Sequence, residues 1–184
     1  MNLIKTPKAS KKLVEKIIHN KKLSDQFEWI RDDNWQEVLH SPNTLKKNIR
    51  KYIDNENHWT DKNLTILKPL EKKIFNEIKN KIKEEDKSIP QKDGDWFYFS
   101  ETKKNKQYSI LSRYEIKNSI KNSKIYHDWN RESKTYKYFK PGGAFNSNDH
   151  DYLAWSYDDK GSEFYKIRIK NLAKGNNLKD YIEN

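Results

Sequence analysis

The sequence predicts an α+β fold, with helices in residues 1–90 and antiparallel strands in residues 91–184. Two observations carry this prediction. Before Pro90, apolar residues recur at the three- and four-residue spacing that is typical of amphipathic helices. After Pro90, short aromatic-rich runs are separated by turns, with no helical pattern between them, which indicates antiparallel sheet.

The first helical segment is short and lies near the start of the chain. Its helically spaced apolar residues are Leu13, Val14, Ile17 and Ile18. A second helix should begin at Asp33 or Asn34, since either side chain can cap it, and Glu37 stands in the position of a capping-box partner. Pro42 is expected to end this helix. The apolar residues of the second helix are Trp35, Val38 and Leu39.

Two further helices complete the predicted N-terminal part. One runs from Thr44 to Glu56 and carries Leu45, Ile49, Tyr52 and Ile53. The other has Pro69 in its first turn, where a missing N–H costs no hydrogen bond. Five residues form the apolar stripe of this last helix: Leu70, Ile74, Phe75, Ile78 and Ile82.

The strand region begins after a turn predicted at Asp93-Gly94. Residues 96–99 and 108–114 are expected to form two strands that pair as a hairpin. Two weaker strands are predicted, one near Ile125 and Tyr126 and one near Tyr136 and Tyr138.

The clearest hairpin joins residues 152–157 to residues 164–169 through the turn that contains Gly161. Gly175 closes the section as another turn. The whole strand region has about the length of two four-stranded propeller blades. Two blades cannot close a ring, so the propeller would be incomplete.

Composition limits the core and the partners. Leu, Ile, Val and Phe together make up 39 residues, a thin supply that six Trp and eleven Tyr can supplement. The formal net charge is +11, but 33 of the 38 basic residues are Lys and only five are Arg. Arg is the residue that reads bases and phosphates through a planar fork, so the balance argues against a nucleic-acid partner. The aromatic residues of the strands are expected to pack between sheets.

The location predicted from sequence is cytoplasmic, with no membrane partner. The chain has no Cys, no apolar run of 18 residues and no apolar segment behind its basic N-terminus. A reducing compartment is compatible with these features.

A search for catalytic, cofactor-binding and metal-ligating residues yields none. A serine nucleophile elbow needs glycines two residues before and after the serine, and none of the five glycines provides that spacing. Gly161-Ser162 and Asp149-His150-Asp151 are interpreted as turns, and Gly142-Gly143 lacks the features of a phosphate loop. The acidic run Glu84–Asp86 is interpreted as the end of a helix.

With these motifs in place, the chain resembles the N-terminal portion of the oligopeptidase B (protease II) branch of the prolyl oligopeptidase family of serine peptidases. The similarity covers nearly all of residues 28–175. The matching residues, in order, are Trp29, Arg31, Asp32, Asp33, Trp35, Val38, Leu39, Pro42, Tyr52, Glu56, Asn57, Phe75, Ile82 to Asp86, Ser88, Pro90, Asp93, Gly94, Gln107, Tyr108, Arg113, Asp149, His150, Leu153, Ala154, Ser156, Asp158, Lys160, Gly161, Ser162, Glu163, Tyr165 and Ile167. The chain departs from the family at Asn148, where a Pro is usual, and at Ile30, where a Leu is usual.

The resemblance implies helices that pack on an α/β-hydrolase domain and a seven-bladed propeller that covers its active site. Family members cleave short peptides after Lys or Arg, and their catalytic triad lies in a C-terminal domain with no counterpart here. The chain is therefore expected to be an N-terminal fragment that is inactive alone. One alternative is half of a split peptidase, which binds peptide substrate only when paired with a separately encoded C-terminal chain. Another alternative, from a different class, is a basic nucleic-acid-binding protein.

Overall fold

The computed structural model describes residues 5–183, which form two compact units separated along the chain between Lys81 and Ile82. The N-terminal unit contains β1 (Val14–Ile18), β2 (Lys21–Asp25), α1 (Trp35–His40), α2 (Lys47–Leu64) and α3 (Lys68–Lys81). The C-terminal unit contains β3 (Asp86–Lys87), β4 (Gln91–Asp93), β5 (Trp96–Thr102), β6 (Ile110–Glu115), β7 (Lys124–Asp128), α4 (Trp129–Glu132), β8 (Lys140–Asn146), β9 (Tyr152–Asp158), β10 (Lys166–Asn171) and β11 (Asn176–Ile182). No helix among these residues is both long and apolar enough to cross a membrane.

The segment around Leu13 to Ile18 was expected to be helical, and this prediction is wrong. Strands β1 and β2 pair antiparallel through a two-residue turn. His19 and Asn20 form that turn with φ of 50° and 59°, the left-handed conformation that matches the twist of a hairpin. Because Val14, Ile17 and Ile18 are β-branched, their restricted side chains favour the extended backbone.

Helix α1 confirms the prediction of a helix that ends before Pro42. Asn34 is its N-cap residue, but its side chain makes no capping hydrogen bond, so the expected capping box is absent. Asp32 is buried instead and accepts a hydrogen bond of 2.9 Å from the backbone N–H of Lys46. This hydrogen bond lowers the pKa of Asp32. The contact fixes the residue that caps the N-terminus of α2.

Helix α2 is longer than predicted and extends to Leu64. Ile49 is its one buried residue, and Tyr52 contacts the Trp29 ring edge-to-face at 5.9 Å. Helix α3 lies where its apolar stripe predicted it, over Lys68–Lys81. None of its residues is buried.

The C-terminal unit consists of two antiparallel sheets. In the first, β5 pairs with β6 and β6 with β7, while β3 and β4 pair with opposite ends of β5. The hairpin predicted from residues 96–99 and 108–114 is therefore confirmed. Asp86 belongs to β3, so the acidic run Glu84–Asp86 is not the helix end that was predicted.

The second sheet has the strand order β11-β10-β9-β8, which is the simple up-and-down order of a propeller blade. Its central hairpin, β9 and β10, confirms the prediction made from residues 152–169. Gly161 and Gly175 both have positive φ, as their predicted turns require. The predicted strand near Tyr136 and Tyr138 is wrong, because a 3-10 turn over Ser133–Thr135 delays the strand until Lys140.

Aromatic side chains form the core between the two sheets. The buried cluster comprises Trp129, Phe139, Leu153, Trp155 and Tyr157. Partly buried residues of the first sheet and its loops, among them Tyr108, Leu111 and Tyr126, pack against this cluster. The expectation that aromatic residues supplement a thin aliphatic supply is confirmed in this unit.

The four-residue helix α4 holds one edge of this core in place. Asp128 caps it by accepting a hydrogen bond from the backbone N–H of Asn130 at 2.9 Å. The side-chain oxygen of Asn130 accepts a hydrogen bond from the backbone N–H of Tyr108 at 2.9 Å. Its amide nitrogen donates one to the carbonyl oxygen of Tyr108 at 2.7 Å. Since Tyr108 leads into β6, this contact joins the end of the first sheet to the segment that enters the second.

Candidate interaction surfaces

The first candidate functional surface, the α3 stripe, is an apolar row on the N-terminal unit. Its residues are between 46% and 62% exposed, although each is a large aliphatic or aromatic side chain. They are Leu67, Leu70, Ile74, Phe75 and Ile78. Ile82, which was predicted as the last member of the stripe, follows the end of the helix and belongs to the C-terminal unit. Contiguous apolar patches of this kind mark interaction sites more often than ordinary surface.

Lysines dominate the remaining surface of α3. Lys68, Lys72, Lys73, Lys79 and Lys81 outnumber Glu71 and Glu77, so the helix has a charged face and an apolar face. A helix of this length gains most of its stability in proteins from packing of the apolar face. We therefore interpret the α3 stripe as a contact surface.

We expect the α3 stripe to make the isolated 184-residue chain self-associate. Changing Phe75, which is 62% exposed, to Glu should reduce both self-association and binding of a hydrophobic dye, because it places a charge in the middle of the stripe. Sedimentation velocity over a concentration series measures the first effect and dye fluorescence the second. Asn76→Glu adds the same charge to an exposed polar residue of the same helix and should change neither. A wild-type chain that stays monomeric and binds no dye would contradict this expectation.

The second candidate surface, the β8–β11 outer face, lies on the second sheet. Leu153, Trp155 and Tyr157 point to the core, so the alternate residues of β9 point the other way. Cross-strand partners share a face, which places an apolar row on the outer side. Its members are Phe145, Ala154, Ile167, Ile169 and Ile182.

Phe145 and Ile182, on the two edge strands, are 72% and 64% exposed, while Ala154, Ile167 and Ile169 between them are partly buried. The opposite face of the same sheet is covered by the first sheet and the aromatic core. A sheet with two apolar faces is typical of a blade with a neighbour on each side.

A polar junction joins the two sheets at the end where their turns meet. The guanidinium of Arg113 on β6 donates to the carbonyl oxygen of His150 at 2.6 Å and lies 4.0 Å from the centre of the Trp96 ring. The hydroxyl of Tyr98 and Nδ1 of His150 are 2.8 Å apart. Gly94 is required beside this ring, because its φ is +54° and a Cβ would lie 2.5 Å from His150 Nε2. The junction aligns the first sheet with the β8–β9 turn.

The residues that could have suggested chemistry lie apart from one another. Ser162 is in the β9–β10 turn, where Asp158 accepts hydrogen bonds from the surrounding backbone N–H groups. Asp149, His150 and Asp151 form the predicted turn before β9. Within residues 5–183, no three His, Asp or Glu side chains are grouped so that they could hold a metal ion. The prediction of no catalytic, cofactor or metal residue stays a prediction.

The resemblance implied a hydrolase domain over the helices, and therefore an uncovered α3 stripe in this chain, whereas the β8–β11 outer face was missed as a site. The apolar positions of α3 were evident from sequence, but the pattern predicts a buried face as readily as an open one. The β8–β11 outer face had one signal, the alternation in residues 164–169, which left Ile167 and Ile169 on one side.

Comparisons with known proteins show the family to which the chain belongs. The family model described as "Prolyl oligopeptidase, N-terminal beta-propeller domain" matches residues 7–184. The chain is 28% identical to Dipeptidyl aminopeptidase BI of Pseudoxanthomonas mexicana, over 96% of this chain and 25% of that protein. It is 23% identical to Protease 2 of Moraxella lacunata, over 91% of this chain and 23% of that protein. The chain thus spans about a quarter of the length of the curated relatives it matches.

Solved structures agree on the fold. Oligopeptidase B from Leishmania major superposes with a TM-score of 0.83 at 19% identity, over 97% of this chain and 26% of that chain. Oligopeptidase B from Trypanosoma brucei gives a TM-score of 0.79 at 20% identity, over the same shares. The helices followed by two unclosed antiparallel sheets are the start of such a propeller, as the sequence predicted. The match over residues 7–184 shows that the chain belongs to the prolyl oligopeptidase family, in the region of its N-terminal β-propeller domain.

Proposed function

We propose that this chain is a non-catalytic N-terminal portion of an oligopeptidase B-like serine peptidase, cytoplasmic in location, that cleaves short peptides after Lys or Arg. It supplies the N-terminal helices and the first two propeller blades. The 184 residues have no peptidase activity by themselves. The observation that carries the proposal is the pair of open apolar surfaces, the α3 stripe and the β8–β11 outer face, in a chain of this family.

Each surface fits one missing neighbour. A third blade would pack on the β8–β11 outer face, because every blade of a closed propeller has a sheet on both sides. A hydrolase domain would cover the α3 stripe, as the resemblance to the family implies. Burial of apolar area contributes roughly 25 cal/mol per Å², so the five large side chains of the α3 stripe represent a substantial driving force for that contact.

The chain's own residues then have positioning roles. The polar junction at Arg113 and the aromatic core hold the first two blades together, and later blades would stack on them. Ser162 is not the nucleophile in this proposal, since its turn is organised by Asp158 and lacks the glycine spacing of an elbow. The nucleophile, base and oxyanion donors belong to the hydrolase domain.

A second form of the proposal is a split enzyme. The partner is then a separately encoded C-terminal chain that carries the other blades and the hydrolase domain, and peptide substrate binds only in the complex. The same two open surfaces favour this form, since they are the contacts that such a partner would need. Nucleic acid is a weaker candidate partner, because Trp155 and Tyr157, two of the strand aromatics that could stack on bases, are buried in the core and only five of the 38 basic residues are Arg.

Complementation tests the proposal. Protease 2 of Moraxella lacunata, expressed without the segment that aligns with this chain, should hydrolyse an Arg-containing chromogenic peptide poorly. Addition of this chain should raise the rate above that of either polypeptide alone. Phe75→Glu should weaken the gain and Asn76→Glu should preserve it. The proposal fails if the purified 184-residue chain alone hydrolyses the peptide and is inactivated by a serine-directed reagent, or if the mixture gains nothing.

A further inference from the structure

His127 is completely buried between the two blades. It lies in β7, with 0% of its surface exposed, and its ring is 4.3 Å from the Trp129 ring and 5.0 Å from the Trp155 ring. Trp129 follows the first sheet and Trp155 belongs to the second. Neither ring nitrogen of His127 has a hydrogen-bond partner among the residues that the structure describes.

The surroundings of His127 oppose a positive charge. The ammonium group of Lys170 on β10 donates to the carbonyl oxygen of Tyr126, at 2.9 Å, beside the histidine. The negative charge of Asp128, the next residue in β7, compensates only in part. Burial first, and the Lys170 charge second, lower the pKa of His127 to about 3. The remaining charges near Lys170 are those of Arg131 and Glu132, which oppose each other.

We propose that His127 is an acid-sensitive element of the blade interface, and that its protonation opens the aromatic core joining the two blades. An imidazolium has two N–H donors that both need acceptors or water. The described residues of this core offer no acceptor to either ring nitrogen, and charge without a partner is costly to bury. The protonated ring can be hydrated only if the Trp129 and Trp155 side of the interface separates.

The direction of the pH effect follows from the lowered pKa. A histidine that is harder to protonate in the folded chain stabilises the fold above its unfolded pKa of about 6.5, and this stability is lost as the pH falls from that value toward 3. Buried or paired carboxylates such as Asp158 have lowered pKa values, so they change charge only below about pH 4. The window between about pH 6.5 and 4 therefore isolates His127 from the carboxylates.

Urea unfolding of the full 184-residue chain at submicromolar concentration, followed by tryptophan fluorescence, tests the proposal. From about pH 7.5 to about pH 5 the equilibrium constant for unfolding should rise about 30-fold in the wild type. His127→Leu removes the titrating group and should abolish this rise, and His127→Gln serves if the Leu variant does not fold. His58→Gln, at an exposed histidine of α2, should keep the rise of the wild type.

A second measurement needs no variant. The ring protons of His127, followed by NMR in the folded chain, should show no titration between about pH 7.5 and about pH 5. Titration of His127 within that range while the chain stays folded would overturn the proposal, as would a His127→Leu chain with the pH dependence of the wild type. Neither outcome bears on complementation of a peptidase, so the proposed function stands or falls separately.

Discussion

Replacement of Trp155 by Ala is expected to lower the free energy of unfolding of the C-terminal unit by about 3–5 kcal/mol. Trp155 is only 2% exposed, and its ring lies 5.8 Å from Trp129 and 5.1 Å from Tyr157. Its replacement by Ala would therefore leave a large cavity within the buried aromatic cluster of this unit. Large-to-small changes of this kind cost about 3–5 kcal/mol. The indole N–H also donates to the side chain of Asn177 at 3.0 Å, so the change removes a tie to β11.

The size of this loss matters because it is a large share of the free energy of unfolding of a typical domain. Typical domains are stable by about 5–15 kcal/mol, and this one leaves an apolar sheet face open. Urea unfolding followed by far-ultraviolet circular dichroism should show the Trp155→Ala transition at much lower urea, or no folded baseline. Trp155→Phe should lie between, since it keeps an aromatic ring.

Trp35→Ala is the matched control, because Trp35 is 47% exposed in the other unit. Its effect on the transition of the C-terminal unit should be small, within about 0.5 kcal/mol. If Trp155→Ala unfolded at the same urea concentration as the wild type, the aromatic cluster would not be the core that holds the two blades together.

The hairpins of the C-terminal unit were predictable because local signals agree there. Gly161 sits in the turn, the flanking runs alternate, and the two strands pair at short range, so no distant contact is needed to decide the register. The α3 helix was predictable for the same reason, through one apolar stripe and a Pro in its first turn.

The secondary-structure predictions failed where local sequence alone did not decide between a strand and another conformation. Residues 13–18 satisfy a helical spacing, but a His19-Asn20 turn with positive φ lets β2 pair with them. Strand β11 carries no strand pattern and forms because the turn at Gly175 returns it to the edge of β10. Tertiary pairing decided both cases.

The polar junction and the surroundings of His127 could not be predicted, because they depend on contacts between residues that are far apart in the sequence. Arg113 and the His150 carbonyl are 37 residues apart, and the Tyr98–His150 pair spans 52 residues. The polar residues around His127 gave no sign that its ring is sealed between two tryptophans. Whether an apolar stripe is open or covered likewise depends on the partner, which the pattern of α3 does not describe.

The second large effect is expected at Asp158, the residue that organises the β9–β10 turn. Its carboxylate is fully buried and accepts hydrogen bonds from the backbone N–H groups of Lys160, Gly161 and Glu163, at 2.8, 2.9 and 2.9 Å. Burial by itself raises the pKa of Asp158, but the backbone hydrogen bonds outweigh burial and hold the pKa below its ordinary value. The negative charge of Asp158 therefore stabilises the folded turn.

Asp158→Ala should destabilise the C-terminal unit by about 3–5 kcal/mol, since it removes a charged acceptor from three backbone N–H groups and hydrogen bonds to charged groups contribute about 1.5–3 kcal/mol each. Asp158→Asn should cost less, because one carbonyl oxygen remains. Asp180→Ala, at an exposed position of β11, is the control and should be nearly neutral.

A carboxylate with a lowered pKa stabilises the fold above its unfolded pKa of about 3.9 and loses that effect as the pH falls further. The stability gap between wild type and Asp158→Ala should thus narrow in urea titrations below about pH 4, and a gap that stayed constant there would show that the negative charge contributes nothing.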